Sequence, residues 1–321
     1  MSAPLRITAA LGSMKPEPWL DALNAAFAQA GIDADVALFD GRARDARYAI
    51  VWLPPPELFT LETSLRTVFN VGAGVEGLLA NPALPATLPV LRLVDAGMAP
   101  KMAEYVSFFL ARITRGLDRF IVHTSGPNAV RDWHVDRPRG TPPTVGVMGL
   151  GAIGAQIAHA ATVFGYPVIG WSRTPKQMAG VRCFAGTRAL DAFLAQSNIV
   201  IDVLPLTRET ENLLDARRLA QLPRGAHLIN IGRGATIVDA DLIAALDSGQ
   251  LASATLDVFR TEPLPPTHPF WHHPRVTVTP HLSGPTPREP AAAQIAAAIR
   301  QLEAGTEASS LPGFIDRARG Y

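Results

Sequence analysis

The sequence predicts an α/β protein built as two parallel-sheet domains with a cleft between them. Three observations predict it. Short apolar runs suited to buried strands alternate with stretches of helical period. The alternation occurs twice, before and after a polar, proline-bearing segment over 123–143. The second block opens on a glycine turn, Gly149-Leu150-Gly151-Ala152-Ile153-Gly154. At 321 residues the chain has length for about two domains, each with its own core.

The first block reads as strands over 5–10, 36–39, 48–53, 67–71 and 89–94. The run over 48–53 is continuously apolar, as a strand buried on both faces must be, and Pro54-Pro55-Pro56 ends it. A helix over 17–30 carries Trp19, Leu20, Leu23, Phe27 and Ala30 on one stripe, closed by Gly31. The strand over 67–71 runs into Gly72-Ala73-Gly74-Val75. Pro100 is expected to open a long helix whose core stripe is Met102, Val106, Phe109, Ile113 and Leu117. An irregular stretch as long as 123–143 inside a compact chain is usually functional or an interface arm. Trp133 is its exposed-looking aromatic and suggests a partner subunit.

In the second block, strands are expected over 145–148, 168–171, 199–204, 227–231, 254–258 and 276–279. Asp239 is placed to cap a helix ended by Gly249, and a helix over 291–302 closes the fold.

Composition excludes several classes. The formal net charge is +1, so nothing points to a nucleic-acid partner. Cys183 is the sole cysteine, which rules out a disulfide within the chain and suits a reducing compartment. Residues 1–13 lack the apolar run of a secretion signal, and no run is long enough to span a bilayer. The expectation is a soluble cytoplasmic protein. His272 and His273 read as structural or solvent-facing, and no metal site is expected.

The glycine turn sits between an apolar strand and a helix, which is the context of a dinucleotide site. Gly149 makes the turn, Gly151 lets the backbone approach a pyrophosphate, and Gly154 lets helix and strand pack closely. The N–H groups and positive dipole end of the helix then face the phosphates. An NAD site would place a carboxylate about 20 residues on, at the end of the second strand. Here no Asp or Glu occurs between Asp136 and Asp191; the strand ends Trp171-Ser172-Arg173-Thr174, with Lys176 close behind. A guanidinium beside the hydroxyls of Ser172 and Thr174 suits a 2′-phosphate, so NADP is expected in preference to NAD.

Three later stretches follow expected strands, where ligands of such sheets gather. They are Asn230-Ile231-Gly232-Arg233-Gly234, Asp257-Val258-Phe259-Arg260-Thr261-Glu262-Pro263 and Thr279-Pro280-His281. Arg233 can clamp a carboxylate and polarise the adjacent carbonyl. His281 can act as the acid, and Glu262 can hydrogen-bond its imidazole and favour the protonated form. Taken singly, each also fits a commonplace role as a surface salt bridge, a loop charge or a strand-end histidine.

Together these stretches resemble the D-2-hydroxyacid dehydrogenases, most closely the short bacterial glyoxylate/hydroxypyruvate reductases. The similarity extends to Val51-Trp52-Leu53-Pro54-Pro55, Gly72-Ala73-Gly74-Val75, Gly97-Met98, Glu104-Tyr105-Val106 and the closing Asp316-Arg317-Ala318-Arg319-Gly320-Tyr321. It implies two Rossmann-like domains, one flavodoxin-like and one dinucleotide-binding. The substrate domain would comprise 1–98 and 288–321, and the NADP domain 99–287, including a dimerisation arm at about 118–143. Arg233, Glu262 and His281 would be catalytic. Trp52, Ala73 and Gly74 would join Arg233 and His281 in binding substrate. The cofactor would meet Gly149, Gly151, Ala152, Ile153, Gly154, Ser172, Arg173, Thr174, Leu204, Pro205, Thr210 and Ile231, with Asp257 bonded to the nicotinamide carboxamide. A homodimer is implied.

The resemblance thus points to NADPH-dependent reduction of small 2-oxo acids, with glyoxylate and hydroxypyruvate foremost. Leu282-Ser283-Gly284-Pro285-Thr286 departs from close relatives by its proline, which bears on substrate preference. Two alternatives stay open on sequence. One is a sister activity on a phenylpyruvate-like acid or D-3-phosphoglycerate. The other is a non-catalytic protein that senses NADP(H), because fold alone does not imply catalysis.

Overall fold

The computed structural model describes residues 3–118 and 141–317. The chain divides into two compact units, Met1–Met98 with Thr286–Tyr321, and Ala99–Pro285.

The first unit holds a five-stranded sheet of β1 (Leu5–Ala10), β2 (Ala34–Leu38), β3 (Tyr48–Val51), β4 (Thr67–Asn70) and β5 (Val90–Arg92). All pairs are parallel and the order is β2-β1-β3-β4-β5, the flavodoxin-like arrangement. β3 and β4 are buried at every position, as strands covered on both faces require. The helix Pro16–Gln29 buries Trp19, Ala22, Leu23, Ala26 and Phe27. They pack with Ile295 and Ile299 of the helix Arg288–Glu303, which returns from the far end of the chain.

The second unit holds seven parallel strands: β6 (Val145–Met148), β7 (Val168–Ser172), β8 (Val181–Ala185), β9 (Ile199–Asp202), β10 (Ala226–Asn230), β11 (Leu251–Leu256) and β12 (Val276–Val278). Their order is β12-β11-β10-β9-β6-β7-β8. The first strand of the unit, β6, therefore lies inside the sheet, with Val145 in register with Val168 of β7 and Ile199 of β9. Sheet order reverses at β6, which opens a crevice at the strands' carboxyl ends. The helix Met98–Arg115 covers one face, burying Met102, Val106, Phe109 and Leu110 against Ile157 and Ala161 of the helix Ala152–Val163.

Several local expectations need correction. The long helix starts at Met98 rather than Pro100. Its proline is the third helical residue, where the missing N–H would have had no partner within the helix. Asp239 does not cap its helix: it is the first helical residue, the preceding Val238 offers no capping side chain, and its carboxylate lies 3.4 Å from His268 Nε2. β8 was not foreseen; as an edge strand only its first residue is buried. The run over 48–53 stops at Val51, since Leu53 has φ +45° and is exposed. Of the expected arm over 118–143, residues 119–140 lie outside the described residues, and Trp133 with them. So do the last four residues of the chain, from Ala318 to Tyr321.

Candidate active site

On the β6–β7 side, the glycines act by different means. Gly149 has φ +101°, a conformation that L side chains rarely adopt. A Cβ on Gly154 would sit 1.7 Å from the Gly149 carbonyl oxygen, so any side chain there drives helix and turn apart. A Cβ on Gly151 would meet nothing within 4 Å. Gly151 and Ala152 are exposed at the start of the helix Ala152–Val163, with Ile153 half-buried beside them. An open backbone with donors at a helix N-terminus fits a pyrophosphate.

At the end of β7, Ser172 is buried and its Oγ donates to the Thr174 carbonyl at 2.8 Å, shaping the turn that exposes Arg173 and Thr174. Its proton is therefore committed to the backbone rather than to a phosphate. In the loop after β9, Thr210 Oγ1 donates to the Pro205 carbonyl at 2.6 Å and accepts from the Thr207 N–H at 2.8 Å. Thr210 closes the loop that carries Leu204 and Pro205. Ile231 is 3% exposed, so its side chain belongs to the core and only its backbone can face a ligand.

On the β9–β12 side, buried polar groups replace glycine sterics. Asn230 at the end of β10 is fully buried; its Oδ1 accepts from the Gly232 N–H and its Nδ2 donates to the Arg233 carbonyl, both at 3.0 Å. Thr236 Oγ1 lies 2.7 Å from the same carbonyl and 2.6 Å from Asp202 Oδ2. Asp202 is fully buried, and burial pushes its carboxyl up to about 6 despite hydrogen bonds from Thr236 and the Leu204 N–H. Gly234 lies against the backbone of Phe259, where a Cβ would come within 2.0 Å of the carbonyl carbon. Arg260 donates to the Ile237 carbonyl at 2.8 Å, tying the arginine loop to the segment that bears Glu262.

Glu262 Oε1 accepts from the Phe259 N–H at 2.9 Å, and Oε2 lies 2.7 Å from His281 Nδ1. Burial opposes ionisation of Glu262. The hydrogen bonds from His281 and Phe259, with the charges of His281 and Arg233, outweigh it and hold the carboxyl below its ordinary value. An ionised partner keeps a proton on Nδ1 and leaves Nε2 as the ring nitrogen that can face a substrate. The imidazole is about half exposed, and His281 has φ +48°. Glu262 is thus within electrostatic reach of both Arg233 and His281. Asp257, expected at the nicotinamide, is fully buried: its oxygens accept from Thr279 Oγ1 at 2.6 Å and from the N–H groups of Leu282 and Ser283 at 2.9 Å. His273 Nε2 lies 3.3 Å from Asp247, and His272 is exposed.

In the first unit, the loop after β4 has its own buried amide. Asn70 Nδ2 donates to the carbonyls of Gly72 at 3.0 Å and Gly74 at 2.7 Å, and Trp52 lies over Gly72, where a Cβ would come within 2.4 Å of the indole. Asn70, Asp202 and Thr236 are the supporting residues that sequence reasoning missed. Asn230 and Thr279 stood inside motifs already singled out.

Comparison with known proteins agrees with this architecture. Residues 113–283 match the family model of the D-isomer specific 2-hydroxyacid dehydrogenase NAD binding domain. A glyoxylate/hydroxypyruvate reductase A of Serratia proteamaculans is 43% identical over 95% of this chain and 96% of its own length. A D-isomer specific 2-hydroxyacid dehydrogenase of Xanthobacter autotrophicus, solved with NADPH and MES, superposes with a TM-score of 0.89 at 42% identity, over 99% of this chain and 100% of that one. An NADPH-dependent glyoxylate/hydroxypyruvate reductase of Sinorhizobium meliloti, solved with NADP and sulfate, gives 0.86 at 32% identity, over 98% and 99%.

Proposed function

The chain belongs to the D-isomer-specific 2-hydroxyacid dehydrogenase family, and from that premise we propose that it reduces small 2-oxo acids, glyoxylate and hydroxypyruvate first, with NADPH. The observation that carries this reading is Glu262 Oε2 at 2.7 Å from His281 Nδ1, with Arg233 close enough to depress the same carboxyl. On this reading His281 is the acid, Glu262 its counter-charge and Arg233 the carboxylate clamp, all in loops that follow strands of the second sheet.

When bound, NADPH supplies a hydride to the carbonyl carbon. The glycine turn from Gly149 to Gly154 would hold the pyrophosphate, and Arg173, with no carboxylate nearby in sequence, would take the 2′-phosphate. Arg233 would hold the substrate carboxylate and polarise the carbonyl. His281 would pass its Nε2 proton to the carbonyl oxygen, giving the hydroxyl of the product, and would regain a proton from solvent. Glu262 would stabilise the charged imidazole beforehand. In the first unit, Ala73 and Gly74 are assigned to the substrate carboxylate and Trp52 to the substrate. A cytoplasmic homodimer completes the proposal, with light scattering as the test of its size.

The reading is tested by following NADPH absorbance with a panel of 2-oxo acids. Turnover of glyoxylate and hydroxypyruvate, slower with NADH, is expected. Tight NADPH binding with no turnover of any 2-oxo acid would overturn it.

A further inference from the structure

We propose that Tyr105, Thr279 and Asp257 form a positioning relay that holds the His281 loop in its proton-delivering conformation. The inference rests on the reductase reading of His281 given above.

The N–H groups of three successive residues all end on Asp257. That of His281 donates to its carbonyl, that of Leu282 to Oδ1 and that of Ser283 to Oδ2, each at 2.9 Å. His281 itself has φ +48°, a conformation that a residue with a Cβ keeps only where its surroundings impose it. Glu262 fixes the ring, and Asp257 fixes the backbone from which the ring projects.

Asp257 is in turn oriented from outside the loop. Thr279 Oγ1 lies 2.6 Å from Asp257 Oδ1 and 2.7 Å from the Tyr105 hydroxyl. A carboxylate only accepts, and threonine has one hydroxyl proton. Thr279 therefore donates to Asp257 and accepts from Tyr105, so the chain has a single polarity. Burial, with the charge of Asp257, holds the Tyr105 hydroxyl up at about 12 although the Thr279 hydrogen bond pulls the other way, so it stays protonated as a donor. The same helix touches the loop a second time: Met102, three residues before Tyr105, lies where a Cβ on Gly284 would meet its Cγ and Sδ at 2.8 Å. Residues three apart share one helix face. That face is thus shaped to the loop at both ends, one contact polar and one apolar.

The experiment compares Tyr105→Phe, Thr279→Val and Thr279→Ser in the full-length protein with NADPH bound. Tyr105→Phe should lower kcat for glyoxylate about tenfold, the effect of about 1.4 kcal/mol, with KM for NADPH within about twofold of wild type. Thr279→Val should lose more, and Thr279→Ser, which keeps the hydroxyl, should recover kcat. Amide exchange at Leu282 and Ser283 should quicken in the Phe and Val variants while that of β9 and β10 does not change. Wild-type kcat and exchange in Tyr105→Phe would overturn the relay, as would equal losses in Thr279→Ser and Thr279→Val. If no 2-oxo acid is reduced, the exchange arm still decides: faster exchange at Leu282 and Ser283 supports the relay, and unchanged exchange ends it.

Discussion

The two flanks of β6 solve different problems with different materials. Toward β7, the turn is shaped by atoms left out: Gly154 because a Cβ would collide with Gly149, Gly151 so that the backbone lies open. Toward β12, the loops are shaped by buried polar groups, Asp202, Asn230, Thr236 and Asp257, each at most partly replaceable without leaving a partner unpaired. A phosphate can be met by any exposed N–H at a helix end. On the proposed mechanism a proton must leave one atom in one direction, so the imidazole assigned to carry it needs rigid support. Cofactor binding and proton transfer should therefore fail separately under mutation.

The sharpest separation is expected at His281. Replacing it by Asn should lower kcat by about 10²–10⁴-fold, with NADPH affinity measured by fluorescence nearly unchanged. A parallel loss of affinity would erase the distinction between the flanks. Glu262→Gln probes the same flank more gently. Its carboxyl, held below the ordinary value, is ionised across the working range. Removing that charge leaves His281 Nδ1 with a weaker, neutral acceptor, so kcat should fall about tenfold with NADPH affinity again unchanged.

Asp202 tests how much buried polarity costs. A carboxyl raised from 3.8 to about 6 in the folded state favours folding most below pH 4, and the advantage is lost as pH rises through 6. Asp202→Asn should abolish this slope and gain up to about 3 kcal/mol over wild type above pH 6, since Thr236 can turn its proton wholly to the Arg233 carbonyl. Urea denaturation at pH 4, 6 and 8 measures it; parallel curves for both proteins would refute the assignment. Gly154→Ala, on the other flank, should cost about 1–3 kcal/mol in stability and weaken NADPH binding, leaving the pH dependence of kcat alone. The smallest effect is expected of Arg173→Ala: about tenfold weaker NADPH from the loss of a charge-assisted contact, with NADH barely altered. Equal weakening of both cofactors would remove Arg173 from the 2′-phosphate.

The same contrast explains what could be read from sequence. Glycine sterics are local: the turn needs residues within six positions of one another, so a linear motif reveals it. Arg233, Glu262 and His281 could be proposed from sequence because each lies in a loop shortly after a strand and carries its own chemistry. The buried web was not, because Asp202 meets Thr236 across 34 positions and Thr279 meets Tyr105 across 174, and only the completed sheet brings them together. β8 escaped notice because an edge strand bearing Arg182 and Cys183 shows no clean alternation. Ser172 and Thr210 show a further limit: their residue types suit ligand contact, while their hydroxyls in fact donate to nearby carbonyls.

The left-handed backbone at His281 limits which substitutions can report on the proton alone. Valine, isoleucine and threonine would carry a branched Cβ into a conformation that resists it, so they would report a distorted loop as readily as a missing acid. Asparagine accepts that conformation. It is thus a blank for the proton alone, removing the ring while the surrounding fold stays as it is.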